Sequence, residues 1–376
     1  MDIIYLDNSA TTKIKTEVLN EMMPYLTTEY GNASSLYSVG RKAKRAIEKA
    51  RGQVAELVNC NSHEIYFTGS GSESDNTALK GFAYANKEKG NHIITSKIEH
   101  HAILETCETL ERQGFEVSYI NVDENGVIKI EELENAIRPS TILISVMTAN
   151  NEIGTIQPIE EISRIAHSRN IVFHTDAVQA IGNMSIDVGK MGIDMLSLSG
   201  HKINAPKGIG ALYIKNGVKV EKYINGGHQE RNQRAGTENV AGIVGLGKAC
   251  ELSNKNMDTH IRNLRKLRDY YLTKLQKEMP QKIRINGSME NRLPGNANVS
   301  FEGVDASELI FKLDEKGICV SSGSACSSGS TTPSHVLTAI NVPEQYLNSA
   351  IRTTFGDSNT FEQVDYLVRI IKNLVK

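Results

Sequence analysis

The sequence predicts an α/β fold: a mainly parallel sheet covered on both faces by helices, followed by a smaller α+β part. Three observations carry this. Between residues 91 and 214, short apolar runs alternate with segments whose apolar residues recur at helical spacing. Such alternation lays helices on both faces of a sheet whose strands mostly run one way. From about residue 283 that alternation gives way to α+β composition. The chain has 376 residues, more than one hydrophobic core usually fills, so two domains are expected.

Taken in order, residues 1–12 (MDIIYLDNSATT) give a short apolar segment and then a turn-forming Asp-Asn-Ser. Apolar spacing predicts helices over 16–27 and 41–58, with a polar loop at 30–35 between them. Residues 65–68 read as a strand. Gly69-Ser-Gly-Ser-Glu-Ser-Asp-Asn76 follows and runs into a helix over 77–89. Strands are then predicted at 92–96, 115–121, 141–147, 171–175, 193–198 and 209–214, and helices at 101–113, 130–137 and 158–169. A Gly-rich run at 226–237 precedes an apolar stretch, 240–250, that opens a long helix. The charged segment 255–279 keeps helical spacing and is expected to bridge the two domains. Beyond it, 283–285, 297–301 and 318–321 read as strands, and 305–316 and 361–375 as helices.

Composition narrows the function classes. Apolar residues make up 39% and charged residues 23%, as in a soluble globular protein. With 42 basic and 44 acidic residues the net charge is −2, so no strong field draws nucleic acid or an anionic membrane surface. The start lacks a signal or transit pattern, and no apolar run approaches a membrane span. A cytoplasmic protein is expected. Five cysteines, Cys60, Cys107, Cys250, Cys319 and Cys326, are widely spaced without a C-x-x-C pair, which argues against a disulfide framework and against zinc. His100 and His101 are neighbours, and neighbours point different ways, so no metal is expected.

The chemistry gathers where predicted strands end. Ligands of parallel sheets sit beyond the carboxyl ends of the strands. Gly71-Ser72, Glu99-His100, Asn150-Asn151-Glu152, Asp176 to Gln179 and Ser199-Gly-His-Lys202 all fall there, delivered by five strands to one rim. Lys202 lies between two apolar strands. Partly desolvated, its amine becomes a nucleophile toward carbonyls; the plain alternative is a solvated lysine at a strand end. The strand, Gly/Ser turn and helix start around Gly71 suit a phosphate, with an ordinary capped helix as the alternative. Amine, carboxylate and phosphate cradle together suggest pyridoxal 5'-phosphate, which needs a lysine for its aldehyde and an acid for its pyridine nitrogen. Asp176 and Lys202 can face one such ligand, with Ser72, Ser199 and His201 at its phosphate and His100 flat on its ring. Asp176 as a helix cap and His100 as a loop histidine are the alternatives.

Cys326 stands among serines and glycines in Ser321-Ser-Gly-Ser-Ala-Cys-Ser-Ser-Gly-Ser-Thr-Thr332. Such a segment buries little surface, so its thiol is expected to be accessible and to travel; an incidental cysteine in a linker is the alternative. The other four cysteines fall in or near apolar patterns and read as core residues. Arg352 follows an apolar run and suits a substrate carboxylate, with a structural ion pair as the rival.

On these residues the chain resembles the cysteine desulfurases of the NifS/IscS type, within the class V aminotransferase-like group of pyridoxal-phosphate enzymes. The matching stretches run in family order over nearly the whole chain: Tyr5-Leu-Asp-Asn-Ser-Ala-Thr-Thr12, Gly69 to Asn76, Glu99-His100, Asn150-Asn-Glu-Ile-Gly154, His174-Thr-Asp-Ala-Val-Gln179, Ser199-Gly-His-Lys202, Arg234-Ala-Gly-Thr-Glu-Asn239, Ser321-Ser-Gly-Ser-Ala-Cys326, Pro333-Ser-His-Val-Leu337 and Ile351-Arg352. Ser72 departs from the threonine of many relatives but keeps the hydroxyl.

The resemblance implies fold type I of the pyridoxal-phosphate transferases, with a mostly parallel seven-stranded sheet. It implies a large cofactor-binding domain over 15–255, and a small one over 1–14 and 256–376 that carries the cysteine loop. Lys202 would hold the cofactor and move protons, Asp176 pair with its ring nitrogen and Gln179 with its ring oxygen. His100 would stack on the ring and act as acid or base, and Asn151 would contact cofactor or substrate. Gly71, Ser72, Ser199 and His201 would bind the phosphate, joined by Thr237 from the partner of a homodimer. Arg352 would anchor the carboxylate of L-cysteine, and Cys326 would take its sulfur as a persulfide. An iron-sulfur scaffold or another acceptor protein would receive it. A selenocysteine lyase, an aminotransferase of the same group and a non-catalytic sulfur-relay protein are the alternatives.

Overall fold

Seven of the apolar runs assemble into one sheet. The computed structural model describes residues 3–322 and 333–375. Its strands are β1 (Ile4–Tyr5), β2 (Ile65–Thr68), β3 (His92–Ser96), β4 (Glu116–Ile120), β5 (Thr141–Ser145), β6 (Val172–Asp176), β7 (Met195–Ser199), β8 (Gly210–Ile214), β9 (Ile283–Ile285), β10 (Asn296–Phe301), β11 (Ile318–Cys319) and β12 (Ala350–Thr354). The large sheet has the order β2-β8-β7-β6-β5-β3-β4, and β8 alone runs against the others.

Both faces of this sheet are covered. Every residue of β3, β5, β7 and β8 is buried. Successive residues go to different cores: Ile94, Ile144, Leu196 and Ala211 to one, and Ile93, Leu143, Met195 and Leu212 to the other. This is the period-two alternation of a strand, with apolar residues required on both sides. It explains why the runs read as continuously apolar.

The helix Val240–Glu278 is continuous over 39 residues, so the stretches read at 240–250 and 255–279 belong to one element. Asn239 caps it by accepting from the Gly242 N–H at 3.0 Å. Its first part buries Ile243, Leu246 and Cys250 in the large-sheet core. Its last part buries Leu264, Leu267, Tyr271 and Leu275 in a second core with Val299, Phe301 and Ile351. That second core lines the antiparallel sheet β12-β10-β9. The parallel pair β1–β11 ties the start of the chain to the same part.

Three details differ from the sequence reading. The helix expected from residue 77 begins at Gly71, because Ser70 caps it by accepting from the Glu73 N–H at 3.1 Å; it passes through a π segment, Thr77–Gly81, to Ala85. β12 was not among the expected strands, since Arg352 sits at its centre and a charge is foreign to a buried strand unless paired. β1 is too short to show periodicity. Among the described residues no helix is long and apolar enough to cross a membrane.

The long helix crosses the helix Ser38–Val58 through small residues. A Cβ at Gly247 would lie 2.6 Å from Ala50 Cα and 2.7 Å from Ala50 Cβ. Glycine in mid-helix costs about 1 kcal/mol against alanine, while overpacking costs about 1–3 kcal/mol. Overpacking wins here, because the obstacle is backbone. Gly247→Ala therefore lowers the urea midpoint despite its better helix propensity; a raised midpoint would contradict the close crossing.

Candidate active site

The carboxyl ends of β2, β7, β6, β5 and β3 form one rim. At its centre, β7 ends at Ser199 and the short 3-10 turn Gly200–Lys202 carries the Lys202 amine over the strand end. Lys202 Nζ donates to the backbone carbonyls of Ser9 and, at 2.9 Å, of Ala10. Gln179 Nε2 donates to the same Ser9 carbonyl at 2.9 Å. The expected amine and its expected neighbour thus meet on one acceptor.

Asp176 closes β6, opposite Ser197 of β7. Its Oδ1 accepts from the Val178 N–H at 2.8 Å. Burial pushes its carboxyl up to about 6, against the lowering pull of the Val178 N–H and the Lys202 charge. His100 caps the helix His101–Glu111: its Nδ1 accepts from the Ala102 N–H at 3.1 Å, which leaves the ring proton on Nε2. Burial, Lys202 and two further histidines hold His100 down at about 4, so its imidazole is neutral at neutral pH. His201 is likewise held at about 4, first by burial; its Nδ1 lies 3.2 Å from Thr11 Oγ1, and its carbonyl accepts from Thr12.

Gly71 is pressed onto the rim. A Cβ there would meet Val178 Cγ2 at 2.8 Å and Ser199 Cβ at 3.3 Å. The helix start thereby abuts Ser199 and the turn after Asp176. Ser70 takes the Glu73 N–H with its hydroxyl and the Ser74 N–H with its carbonyl. Helix geometry leaves the N–H groups of Gly71 and Ser72 for another acceptor. Ser72 is exposed and Ser199 buried. This cleft beside a serine, with two helix-start N–H groups, fits a phosphate. With a lysine amine and a buried carboxylate nearby, the donor set fits pyridoxal phosphate as a whole.

Asn150 is structural: its side chain donates to the Ile98 carbonyl and accepts from the Glu152 and Ile153 N–H groups. Asn151 offers its carbonyl to Arg352 Nη1 at 3.2 Å, and Asp7 Oδ1 accepts from Arg352 Nη2 at 2.8 Å. Arg352 therefore makes an ion pair and is also held at the rim. Thr237 is exposed on the loop before the long helix; among the described residues no hydrogen bond links its side chain to the Lys202 group. Cys326 lies outside the described residues. The described residues flanking it reach the site: Ser321 pairs with Arg352 through backbone bonds of 2.6 and 3.2 Å, Ser334 Oγ donates to Glu152 Oε2 at 2.6 Å, and His335 Nε2 lies 3.0 Å from the Glu99 carbonyl.

Residue types alone missed Ser9, Ala10 and Asp7 as contributors. Ser9 and Ala10 act through backbone carbonyls, which no side-chain argument detects. Asp7 reads in the sequence only as part of a turn-forming Asp-Asn-Ser. Asp75 and Glu99 lie fully beneath the rim. Glu99 accepts from the Met147 N–H at 3.0 and 3.1 Å and bonds Ser96 Oγ; burial pushes it up to about 8. Asp75, 3.8 Å from His174 Nε2, is raised by burial and then by Asp176. The Gly69 to Asn76 stretch and the Glu99-His100 pair did signal these positions.

The sequence pattern of the aminotransferase class-V family matches residues 4–367. The chain belongs to that family. Within it, the chain is 52% identical over 375 residues to cysteine desulfurase IscS of Clostridium botulinum (strain Hall), covering 99% of this chain and 94% of that protein. The solved structure of a NifS-like protein superposes with a TM-score of 0.93 at 38% identity, over 99% of both chains. SspA, solved in complex with cysteine, superposes with a TM-score of 0.81 at 37% identity, over 95% of this chain and all of that one. The expected seven-stranded, mostly parallel sheet is present.

Glu99 gives a pH test. Its folded pKa is raised from 4.5 to about 8, so the folded state keeps a proton that the unfolded chain loses. Its contribution is fully present below pH 4.5 and is lost as pH rises toward 8. Urea midpoints of cofactor-free wild type should therefore fall relative to those of Glu99→Gln across this window. Parallel curves for the two proteins would show that Glu99 ionises normally.

Proposed function

We propose that this protein is a pyridoxal-phosphate-dependent cysteine desulfurase, converting L-cysteine to L-alanine and storing the sulfur as a persulfide on Cys326. The observation that carries the reading is the Lys202 amine, held on the Ser9 carbonyl beside Gln179, with buried Asp176 and neutral His100 in its field. The 52% identity to a cysteine desulfurase over 99% of the chain, and the likeness to SspA in its cysteine complex, support it.

When bound, pyridoxal phosphate supplies an electron sink that makes the substrate α-carbon acidic and lets the sulfur leave. The residues here would do the rest. Lys202 Nζ would hold the cofactor through its aldehyde and would move the substrate's α-carbon proton. Asp176, in the carboxylate form above about pH 6, would keep a proton at the ring nitrogen. Gln179 would donate to the ring oxygen, and Asn151 would contact cofactor or substrate. Gly71, Ser72, Ser199 and His201 would hold the phosphate. His100 would stack on the ring and exchange protons through Nε2. Arg352, oriented by Asp7 and the Asn151 carbonyl, receives the substrate carboxylate. The Cys326 thiolate attacks the substrate sulfur: the S–S bond forms as the C–S bond breaks, and a proton ends on the β-carbon. L-cysteine plus thiol become L-alanine plus persulfide. Ser321 and Ser334, on either side of the stretch that holds Cys326, are themselves bonded at the rim, to Arg352 and Glu152.

We read the assembly as a homodimer, with Thr237 reaching the partner's phosphate site. Its exposure supports this, as do Leu19, Met23 and Leu26 on one helix and Tyr30, Leu36 and Tyr37 after it, all 40–89% exposed. We assign 15–255 to the cofactor-binding domain, and 1–14 with 256–376 to the small one. The two cores meeting along the long helix support that division. Iron-sulfur scaffold or other sulfur-acceptor proteins are the proposed partners and the cytoplasm the proposed compartment. Cys60, Cys107, Cys250 and Cys319 are free thiols, in keeping with a reducing environment.

Protein incubated with L-cysteine should yield alanine and sulfide and show the absorbance of bound cofactor. Cys326→Ala should keep the absorbance and lose more than nine-tenths of the desulfurisation, a loss of roughly 1.4 kcal/mol or more in barrier terms. Lys202→Ala should lose the covalent absorbance. Desulfurisation by Cys326→Ala at the wild-type rate would favour a lyase or transaminase.

A further inference from the structure

The segment Glu230-Arg231-Asn232 has φ values of +46°, +54° and +71°, three successive non-glycine residues in the left-handed region. Each costs about 1–2 kcal/mol. Such a turn persists only where its surroundings over-determine it.

Its surroundings are β2. The Glu230 carboxylate, with a side chain 4% exposed, pairs with Arg51, 3% exposed, through bonds of 2.7 and 2.9 Å. It also accepts from the Phe67 N–H at 2.8 Å. Arg51 donates to the Ile65 carbonyl at 2.8 Å and stacks 4.7 Å from the Phe67 ring centre. Arg231 donates to the His63 and Ile65 carbonyls. A buried ion pair is weak evidence for stability, because desolvation offsets its attraction. Position is what this one gives: it clamps the turn to the strand that leads into Gly69.

Arg234 follows shortly after. It grips Glu73 with Nε–Oε1 2.9 Å and Nη2–Oε2 3.2 Å. Glu73 Oε2 accepts from the Gly69 N–H at 2.8 Å, and the Glu73 N–H donates to Ser70 Oγ at 3.1 Å. Glu73 thus holds both residues that precede Gly71. Left alone, its carboxylate would repel a phosphate at the neighbouring N–H groups; the Arg234 guanidinium neutralises it.

We infer that Arg51, Glu230, Arg234 and Glu73 are positioning residues, a relay of ion pairs that shapes and neutralises the Gly69–Ser72 turn as a seat for the cofactor's phosphate. This rests on the reading that the chain binds pyridoxal phosphate.

The test compares pyridoxal phosphate with pyridoxal, which lacks the phosphate, in titrations of full-length cofactor-free protein. Arg234→Met should weaken pyridoxal phosphate binding by about tenfold or more while leaving pyridoxal binding within about twofold, as expected for losing a charge-assisted contact. Glu230→Gln should do the same from a greater distance. Glu73→Gln combined with Arg234→Met should regain part of the loss, since the unpaired carboxylate is gone. Equal weakening of both ligands, or no weakening, in variants with a wild-type circular dichroism spectrum overturns the relay. Should Arg234→Met fail to fold, the Glu230→Gln and Glu73→Gln/Arg234→Met titrations decide alone. A wild type that binds neither ligand overturns the cofactor reading, and is distinguishable because the defect precedes any substitution.

Discussion

One backbone carbonyl, that of Ser9, holds two side chains from elsewhere in the chain. Lys202 and Gln179 both donate to it, and its own residue is fixed by the Ser9 N–H bond to Thr354 Oγ1 at 2.9 Å. A lysine over the end of a buried strand needs acceptors, because an unsatisfied ammonium in a partly desolvated site is costly. Carbonyls supply them without adding a competing negative charge. The amine is oriented by the carbonyls of Ser9 and Ala10. The rest of the rim depends on this: the Lys202 charge reaches both Asp176 and His100, lowering each against its unpaired value.

The electrostatics beneath the rim run the other way. Asp75, Glu99 and Asp176 are buried near one another, and burial raises all three. His174 is flanked by Ser145 and Ser197 hydroxyls, and burial holds it neutral. The layer under the site thus carries fewer charges than its composition suggests. A single carboxylate can then face a ligand without a wall of like charge behind it.

Much of this was legible in the sequence. The six strands expected between 91 and 214 are all present, because apolar residues on both faces leave a continuous signal. Lys202, Gln179, Ser199 and Gly71 come together because strand ends of a parallel sheet share a rim. β1 and β12 were not legible: one is two residues long, and the other carries Arg352, whose partner Asp7 is 345 residues away. Ser9 and Ala10 act through atoms that every residue has. The Glu230–Asn232 turn shows no glycine to announce a left-handed backbone; its cause is an ion pair to a distant helix.

The attachment of the first strand has a consequence for synthesis. Thr354 donates to the Leu6 carbonyl and accepts from Ser9, and β1 pairs with β11 some 300 residues on. Contacts so distant in sequence form late, after loop-closure entropy has been met. A chain emerging from the ribosome can build the large sheet, with Lys202 and Asp176 at its rim, before the small sheet exists. It cannot seat residues 7–10 against Thr354 and Arg352 until almost the whole chain is out. The Ser9 carbonyl can therefore meet Gln179 and Lys202 early, and gains its bracing from Thr354 only when nearly the whole chain is made.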